Sequence, residues 1–145
     1  MKEIRFWKTA DEYGFFSNFS RHPIIEDGVT YKTSEHYFQA QKFLDSVNRQ
    51  DVIDAETPKI AAEIGRDRSR PLRKDWEQVK DSIMSHAVHL KALQYPEIKR
   101  KLLATGDAII IEDSPIDWYW GCGKDGTGRN QLGKCWMQER KNLGE

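Results

Sequence analysis

The sequence predicts a helix-dominated α+β domain, with about six helices and a small antiparallel sheet, spanning residues 1–145 as one unit. Three observations predict it. Apolar residues recur at helical spacing through the middle of the chain. The β-prone runs are short and few. Between two of them, Asp27-Gly28 marks a hairpin turn. A length of 145 residues suits a single domain with a sizeable core, and no repeat, low-complexity tract or linker interrupts it.

Taken in order, Ile4–Trp7 reads as a short strand. Residues 13–21, Y-G-F-F-S-N-F-S-R, alternate rings with Gly, Ser and Asn, a pattern that suits no regular element. It fits a loop whose backbone approaches a ligand, and equally a tucked loop with Phe15, Phe16 and Phe19 as core plugs. Ile24–Tyr31 forms the hairpin. The stretch Tyr31–Leu44 carries the next helix, begun at a Thr33 or Ser34 cap, with Glu35 in its first turn. Residues 46–56 are helical. Thr57-Pro58 restarts a helix packed through Ile60, Ala61 and Ile64 and closed by Gly65. The basic run R-D-R-S-R-P-L-R-K, residues 66–74, reads as a solvated loop, with Arg66 at the helix end suited to a phosphate. Asp75 caps the next helix with Gln78 reciprocal to it, and Trp76, Val79, Ile83, Ala87 and Leu90 form its inner face. Pro96 opens another helix through Leu103, stopped by Gly106. Ala108–Glu112 is β-prone. Arg129 or Asn130 opens the last helix, with Leu132, Trp136 and Leu143 inward and its N-terminus available to an anion or polar group.

Bulk composition excludes several classes. Lys+Arg and Asp+Glu are equal at 23 each, so no overall basic field favours nucleic acid. The longest aliphatic run, Ile109–Ile111, is far too short to cross a bilayer, and the N-terminus lacks a signal-peptide core. Cys122 and Cys135 form no C-x-x-C pair, which suits a soluble, cytoplasmic protein of a reducing compartment. The four histidines make no metal set. There is no G-x-S-x-G and no P-loop, and G-x-N-x-x-G at 128–133 is not a dinucleotide fingerprint. The reading includes no metal, no cofactor and no membrane partner, and leaves the oligomeric state open.

At 100° per residue, Tyr37, Ala40 and Leu44 share one face of the Tyr31–Leu44 helix, while Glu35, Phe38, Gln39 and Lys42 share the other. A carboxylate, a ring, an amide and an amine on one stripe are the parts of a polar-ligand site. Taken alone, each has a simpler explanation: Glu35 serves the helix dipole, Lys42 is a surface amine, and Asp117 is a turn residue after Pro115. Residues 112–134 combine acids, Trp118, Tyr119, Trp120 and five glycines, the second region suited to approach a ligand.

Several segments carry a family resemblance. They are Y-G-F-F-S-N-F, D-G-V-T-Y-K-T-S-E-H-Y-F-Q-A-Q-K-F, A-A-E-I-G-R, R-K-D-W-E-Q-V-K-D-S-I-M, L-L-A-T-G-D, E-D-S-P-I-D-W-Y-W-G-C-G and G-R-N-Q-L-G-K-C-W-M-Q-E-R. In this order, from about Phe6 to Leu143, the chain resembles the NADAR superfamily, the YbiA-like N-glycosidases. The resemblance implies a YbiA-like fold and hydrolysis of an N-glycosidic bond. It implies a small-molecule ribosyl or ADP-ribosyl substrate, either ribosylamino-pyrimidine phosphates of riboflavin synthesis or ADP-ribosyl-guanine. ADP-ribosylated nucleic acid is a further partner it suggests. Glu35 would stand at the sugar with Asp117 as its partner. Lys42 would be nucleophile or phosphate contact, with Lys80 as the second choice for the amine. Phe16, Phe19, Trp118 and Trp120 would form walls. Ser17, Asn18, Gly121 and Asn130 would contact the substrate's polar edges, and Arg66 its phosphate. The alternative is a non-catalytic module that binds NAD or ADP-ribose.

Overall fold

The computed structural model describes residues 2–144. The elements are β1 Glu3–Phe6, a short 3-10 helix Gly14–Phe16, β2 Ile24–Glu26, β3 Val29–Tyr31, α1 Ser34–Ala40, α2 Ser46–Asp54, α3 Pro58–Arg66, α4 Trp76–Gln94, α5 Pro96–Ala104, β4 Ile109–Glu112 and α6 Gln131–Leu143. They fall into two compact units, Asn18–Lys91 and the combination of Met1–Ser17 with Ala92–Glu145.

In Asn18–Lys91, β2 and β3 form the expected antiparallel hairpin, pairing Ile24 with Tyr31 and Glu26 with Val29. Asp27 and Gly28 both take positive φ, 52° and 78°, as a two-residue turn matched to strand twist requires. Ile24 and Tyr31 then lie on the buried face with Tyr37, Ala40, Phe43, Val52, Ala61 and Ala87.

Thr33 caps α1. Its Oγ1 accepts from the His36 N–H at 3.2 Å, and its hydroxyl contacts His36 Nδ1 at 2.7 Å. His36 Nε2 lies 2.9 Å from the Ala55 carbonyl, an acceptor, so Nε2 carries the proton and Thr33 donates to Nδ1. Burial lowers the His36 pKa, which agrees with that neutral ring. The helix stops at Ala40, one turn short of the expected end, so Leu44 leaves the face it was assigned to and is exposed.

α3 also departs from expectation. It runs through Gly65 and ends at Arg66, Ile60 faces solvent, and Ala61, Ala62 and Gly65 are buried. Two of the five basic residues in the run are held by acids: Arg70 pairs with Asp51 at 2.7 Å and Arg73 with Asp75 at 2.6 Å. The Asp75 carboxylate is thus held by Arg73 rather than serving as the expected side-chain cap.

In the other unit, β1 and β4 pair in parallel, with Ile4 opposite Ile110 and Phe6 opposite Glu112. The expected antiparallel sheet is the hairpin alone; this second pair joins strands from opposite ends of the chain. α6 packs on β4, burying Leu132 and Trp136. Phe6, Phe16 and Trp136 form a ring cluster, with Phe16 centred 4.7 Å from Trp136 and 5.8 Å from Phe6. The Trp136 indole N–H donates to the Phe16 carbonyl at 3.0 Å. Phe16 is therefore a core plug, fully buried, and not a wall of an open site.

Candidate active site

α1 is built so that its polar side chains cannot reach bulk water. All seven of its residues are buried, and Glu35 and Gln39 retain 7% and 3% exposure. The preceding loop covers the helix start. The Glu35 N–H donates to the Asn18 carbonyl at 3.0 Å, and the Ser34 hydroxyl donates to Asn18 Oδ1 at 3.1 Å. Asn18 Nδ2 contacts Met84 Sδ at 3.4 Å. Asn18 thus fixes the backbone that carries Glu35, whereas Phe19 beside it is exposed.

One helical turn beyond Glu35, the Gln39 amide donates to Glu35 Oε2 at 2.6 Å, a charge-assisted hydrogen bond. Lys42 follows the helix end. Its Nζ donates to the Gly65 carbonyl at 3.3 Å and lies 5.6 Å from the centre of the Trp76 ring. Burial pushes the Lys42 pKa down to about 8. The Arg68 charge adds to this, the Glu35 charge opposes it, and Arg66 contributes a smaller lowering. Near neutral pH a real fraction of this amine is uncharged, which an exposed lysine is not. Lys80 is engaged by Glu77 at 2.7 Å in an i,i+3 pair. Arg66 is exposed at the end of α3.

The loop ahead of α6, in the other unit, is organised differently. Asp117 Oδ1 accepts the N–H groups of Tyr119 and Trp120 at 3.0 and 2.8 Å, as a turn residue does. The N–H groups of Arg129, Asn130, Gln131 and Leu132 donate to the carbonyls of Trp118, Gly121, Tyr119 and Trp120. These loop carbonyls fill the start of α6, so it is not the anion site the sequence suggested. Asn130, expected to read a substrate edge, has φ 54° and spends its amide on β4. Its Oδ1 accepts from the Glu112 N–H at 2.9 Å and its Nδ2 donates to the Ile110 carbonyl at 2.8 Å.

Trp118 is 48% exposed and lies against Gly123, where a Cβ would come within 2.5 Å of the indole. Trp120 is half-buried, edge-on to Tyr119 at 4.8 Å. Gly121 is buried where a Cβ would meet the Glu112 carboxylate at 2.7 Å. Ser17 is buried, its N–H on the Gly14 carbonyl at 3.0 Å.

The structure adds two residues to the Glu35 neighbourhood. Trp76 reads as core because it opens an amphipathic helix, and it is both core and the ring facing Lys42. Gly65 reads as a helix stop, and it is a helix-internal notch facing the Gln39 side chain. Among the described residues no group of three or more His, Cys, Asp or Glu is placed to hold a metal ion. No helix among them is long and apolar enough to cross a membrane. A groove of about 300 Å³ beside β1, lined by Arg5, Trp7, Lys8 and Asp113, contains none of the candidate residues.

Against known proteins, the NADAR domain model matches residues 5–144. The N-glycosidase YbiA of Escherichia coli (strain K12) is 49% identical over 140 residues, covering 97% of this chain and 88% of that protein. The chloroplastic riboflavin biosynthesis protein PYRR of Zea mays is 40% identical over 155 residues, covering 97% of this chain and 25% of that much longer protein. The NMR structure of the E. coli protein YbiA superposes with a TM-score of 0.91 at 48% identity, covering 99% of this chain and 85% of that one. The expected α+β architecture is that of this neighbour.

Proposed function

The chain belongs to the NADAR family, and we propose that its N-glycosidase chemistry is directed at a phosphorylated ribosyl-heterocycle, with a ribosylamino-pyrimidine phosphate as the substrate. The observation that carries the assignment to residues is the amine of Lys42, brought down to about 8 by burial, in the electrostatic reach of Glu35. The riboflavin-related choice is supported by the name of the maize relative.

The reaction breaks the bond between the ribose anomeric carbon and a heterocycle nitrogen, and water supplies the oxygen to carbon and a proton to nitrogen. As the bond opens, positive charge builds on the ribose ring. The Glu35 carboxylate, desolvated and fixed, is an electrostatic partner for that charge. The neutral Lys42 amine attacks the same carbon, the heterocycle leaves with a proton, and the ring-opened sugar remains as a Schiff base until water releases it. Arg66 contacts the phosphate, and the exposed ring of Phe19 stacks the base.

Incubation with a ribosylamino-pyrimidine phosphate, followed by chromatography of the free base and ribose phosphate, tests the reading. Release of both in equal amounts is expected. Release only from ADP-ribosyl-guanine in a parallel incubation would move the substrate, and saturable binding without release from either would make the chain a reader of such ligands.

A further inference from the structure

Gln39 contains an inconsistency that packing does not explain. Its side chain is buried, and Oε1 has no hydrogen-bond partner among the described residues. A buried acceptor left unpaired is destabilising, so a residue needed only to fill space here would be better as an apolar one. Its other end is well used: Nε2 donates to Glu35 Oε2 at 2.6 Å. The reversed amide would bring two acceptors together at that distance, so the carboxylate fixes the orientation. Room for the orphaned end comes from α3. A Cβ on Gly65 would collide with Gln39 Oε1 and come within 2.7 Å of its Cδ. Glycine inside a helix is itself unfavourable relative to alanine. Two locally unfavourable features, an unpaired acceptor and a helix-internal glycine, thus meet at the amide that donates to Glu35.

We propose that Gln39 is a positioning residue for Glu35, holding its carboxylate in place and in the ionised form, and that this action depends on the missing Cβ at Gly65. The inference rests on the role given to Glu35 above. A donor aimed at a carboxylate favours its charged state and restricts its rotamer, and both matter when the partner charge develops only in the transition state. Other charged groups act on the same neighbourhood: Lys42 after α1, Arg66 and Arg68 at the end of α3, and Glu77 of α4. None of these replaces a donor lying one helical turn from Glu35 on the same face.

The test uses Gln39→Met, which conserves volume and removes the donor, and Gly65→Ala, which displaces the amide without touching Glu35. The readouts are the carboxyl NMR titration of Glu35, thermal stability and steady-state kinetics. In Gln39→Met the Glu35 titration midpoint moves to higher pH, and kcat falls about tenfold or more with KM little changed. Stability holds or rises. Gly65→Ala shifts both readouts in the same direction, and the loss disappears when Gly65→Ala is placed in a Gln39→Ala background, where the amide is gone and only the Cβ, 3.0 Å away, remains to yield. A folded Gln39→Met protein with unchanged midpoint and unchanged kcat overturns the proposal. So does a Gly65→Ala loss that persists in the Gln39→Ala background. Should Gln39→Met not fold, Gly65→Ala alone decides, by the same midpoint and kcat. If instead Glu35→Gln turns over normally, the catalytic role of Glu35 fails, while the titration still reports on the Gln39 contact.

Discussion

In α1 Glu35 and Gln39 bond to each other; in the loop before α6 Asp117 and Asn130 bond to the backbone. Glu35 and Gln39 are paired through their own carboxylate and amide, and Lys42 keeps its amine against a carbonyl and a ring face. Asp117 and Asn130 spend their oxygens on the N–H groups of Tyr119, Trp120 and Glu112. A regular helix satisfies its own backbone, so its side chains remain for chemistry. A Gly-rich loop cannot, so its polar residues are consumed in holding it, and what it offers a ligand is the ring surface it displays. The following experiments break or sharpen this contrast between a side-chain pair on α1 and a backbone-holding loop at 113–132.

The largest effect belongs to Glu35. Glu35→Gln keeps the shape and removes the charge. We expect turnover to fall by about 100-fold or more, with substrate binding retained. Thermal stability should hold or rise, since a buried carboxylate is costly. A variant that turns over at near wild-type rate, and is destabilised by roughly 0.3–1 kcal/mol as a lost dipole partner would be, places Glu35 with the scaffold residues instead.

Lys42 gives the next effect, read as a pH profile. Its ammonium loses a proton as pH rises through about 8, and only the neutral amine attacks carbon. The rate should climb about tenfold per pH unit below that value and level off above it. The linkage has a matching sign. The folded-state value lies below the ordinary lysine value of 10.5, so the unfolded chain holds a proton the folded one lacks between about 8 and 10.5. This group's contribution to stability therefore grows with pH across that window. Lys42→Arg, always protonated, should trap no sugar on borohydride reduction, whereas the wild-type chain should be labelled at Lys42. Labelling at Lys80 would transfer the role, and a flat profile between pH 6 and 8 would remove the nucleophile.

Asn130 probes the scaffold side. Asn130→Ala strips two backbone partners from β4 and puts a residue less suited to φ 54° at the start of α6. A loss of about 2–4 kcal/mol in denaturant unfolding is expected, with KM and kcat of the folded fraction close to wild type. A stable Asn130→Ala protein with raised KM would show that this amide serves the ligand after all.

These contrasts also mark where the sequence was readable. The Thr33 cap, the Asp27-Gly28 turn and the helices from Pro58 and Pro96 are written in residues a few positions apart, and local chemistry decides them. The β1–β4 pair joins Ile4 to Ile110, and neither strand carries a mark of its partner. Extrapolating the α1 face to Leu44 failed because periodicity does not say where a helix ends. Gly65 looked like a stop because a glycine near the end of an apolar pattern has the same spacing whether it closes a helix or notches it. In the site, the Glu35–Gln39 pair was legible as a helical period, whereas Lys42 lies past the helix end. The duties of Asp117 and Asn130 were not, because a polar residue among glycines looks the same whether it faces a ligand or a neighbouring N–H.

Asp117 yields the smallest and most discriminating effect. Its Oδ1 accepts from Tyr119 and Trp120, and its own N–H is held by Ser114 Oγ at 3.1 Å. Asparagine retains an oxygen acceptor at the same reach, so Asp117→Asn should preserve the turn, with a stability change of under about 1 kcal/mol. Asp117→Ala removes the acceptor from both N–H groups and should cost about 1–2 kcal/mol, loosening the loop that carries Trp118 and Trp120. If the scaffold role is the whole role, Asp117→Asn keeps kcat and KM while Asp117→Ala raises KM as the ring platform loses its shape. If Asp117 also supplies a charge or a proton to the reaction, the two variants lose turnover together, about 100-fold, although only the alanine variant is destabilised. The asparagine variant separates these outcomes because it alters the charge and leaves the turn in place. We expect retained turnover. A folded Asp117→Asn enzyme with collapsed kcat would break the comparison by giving the loop before α6 a chemical group of its own.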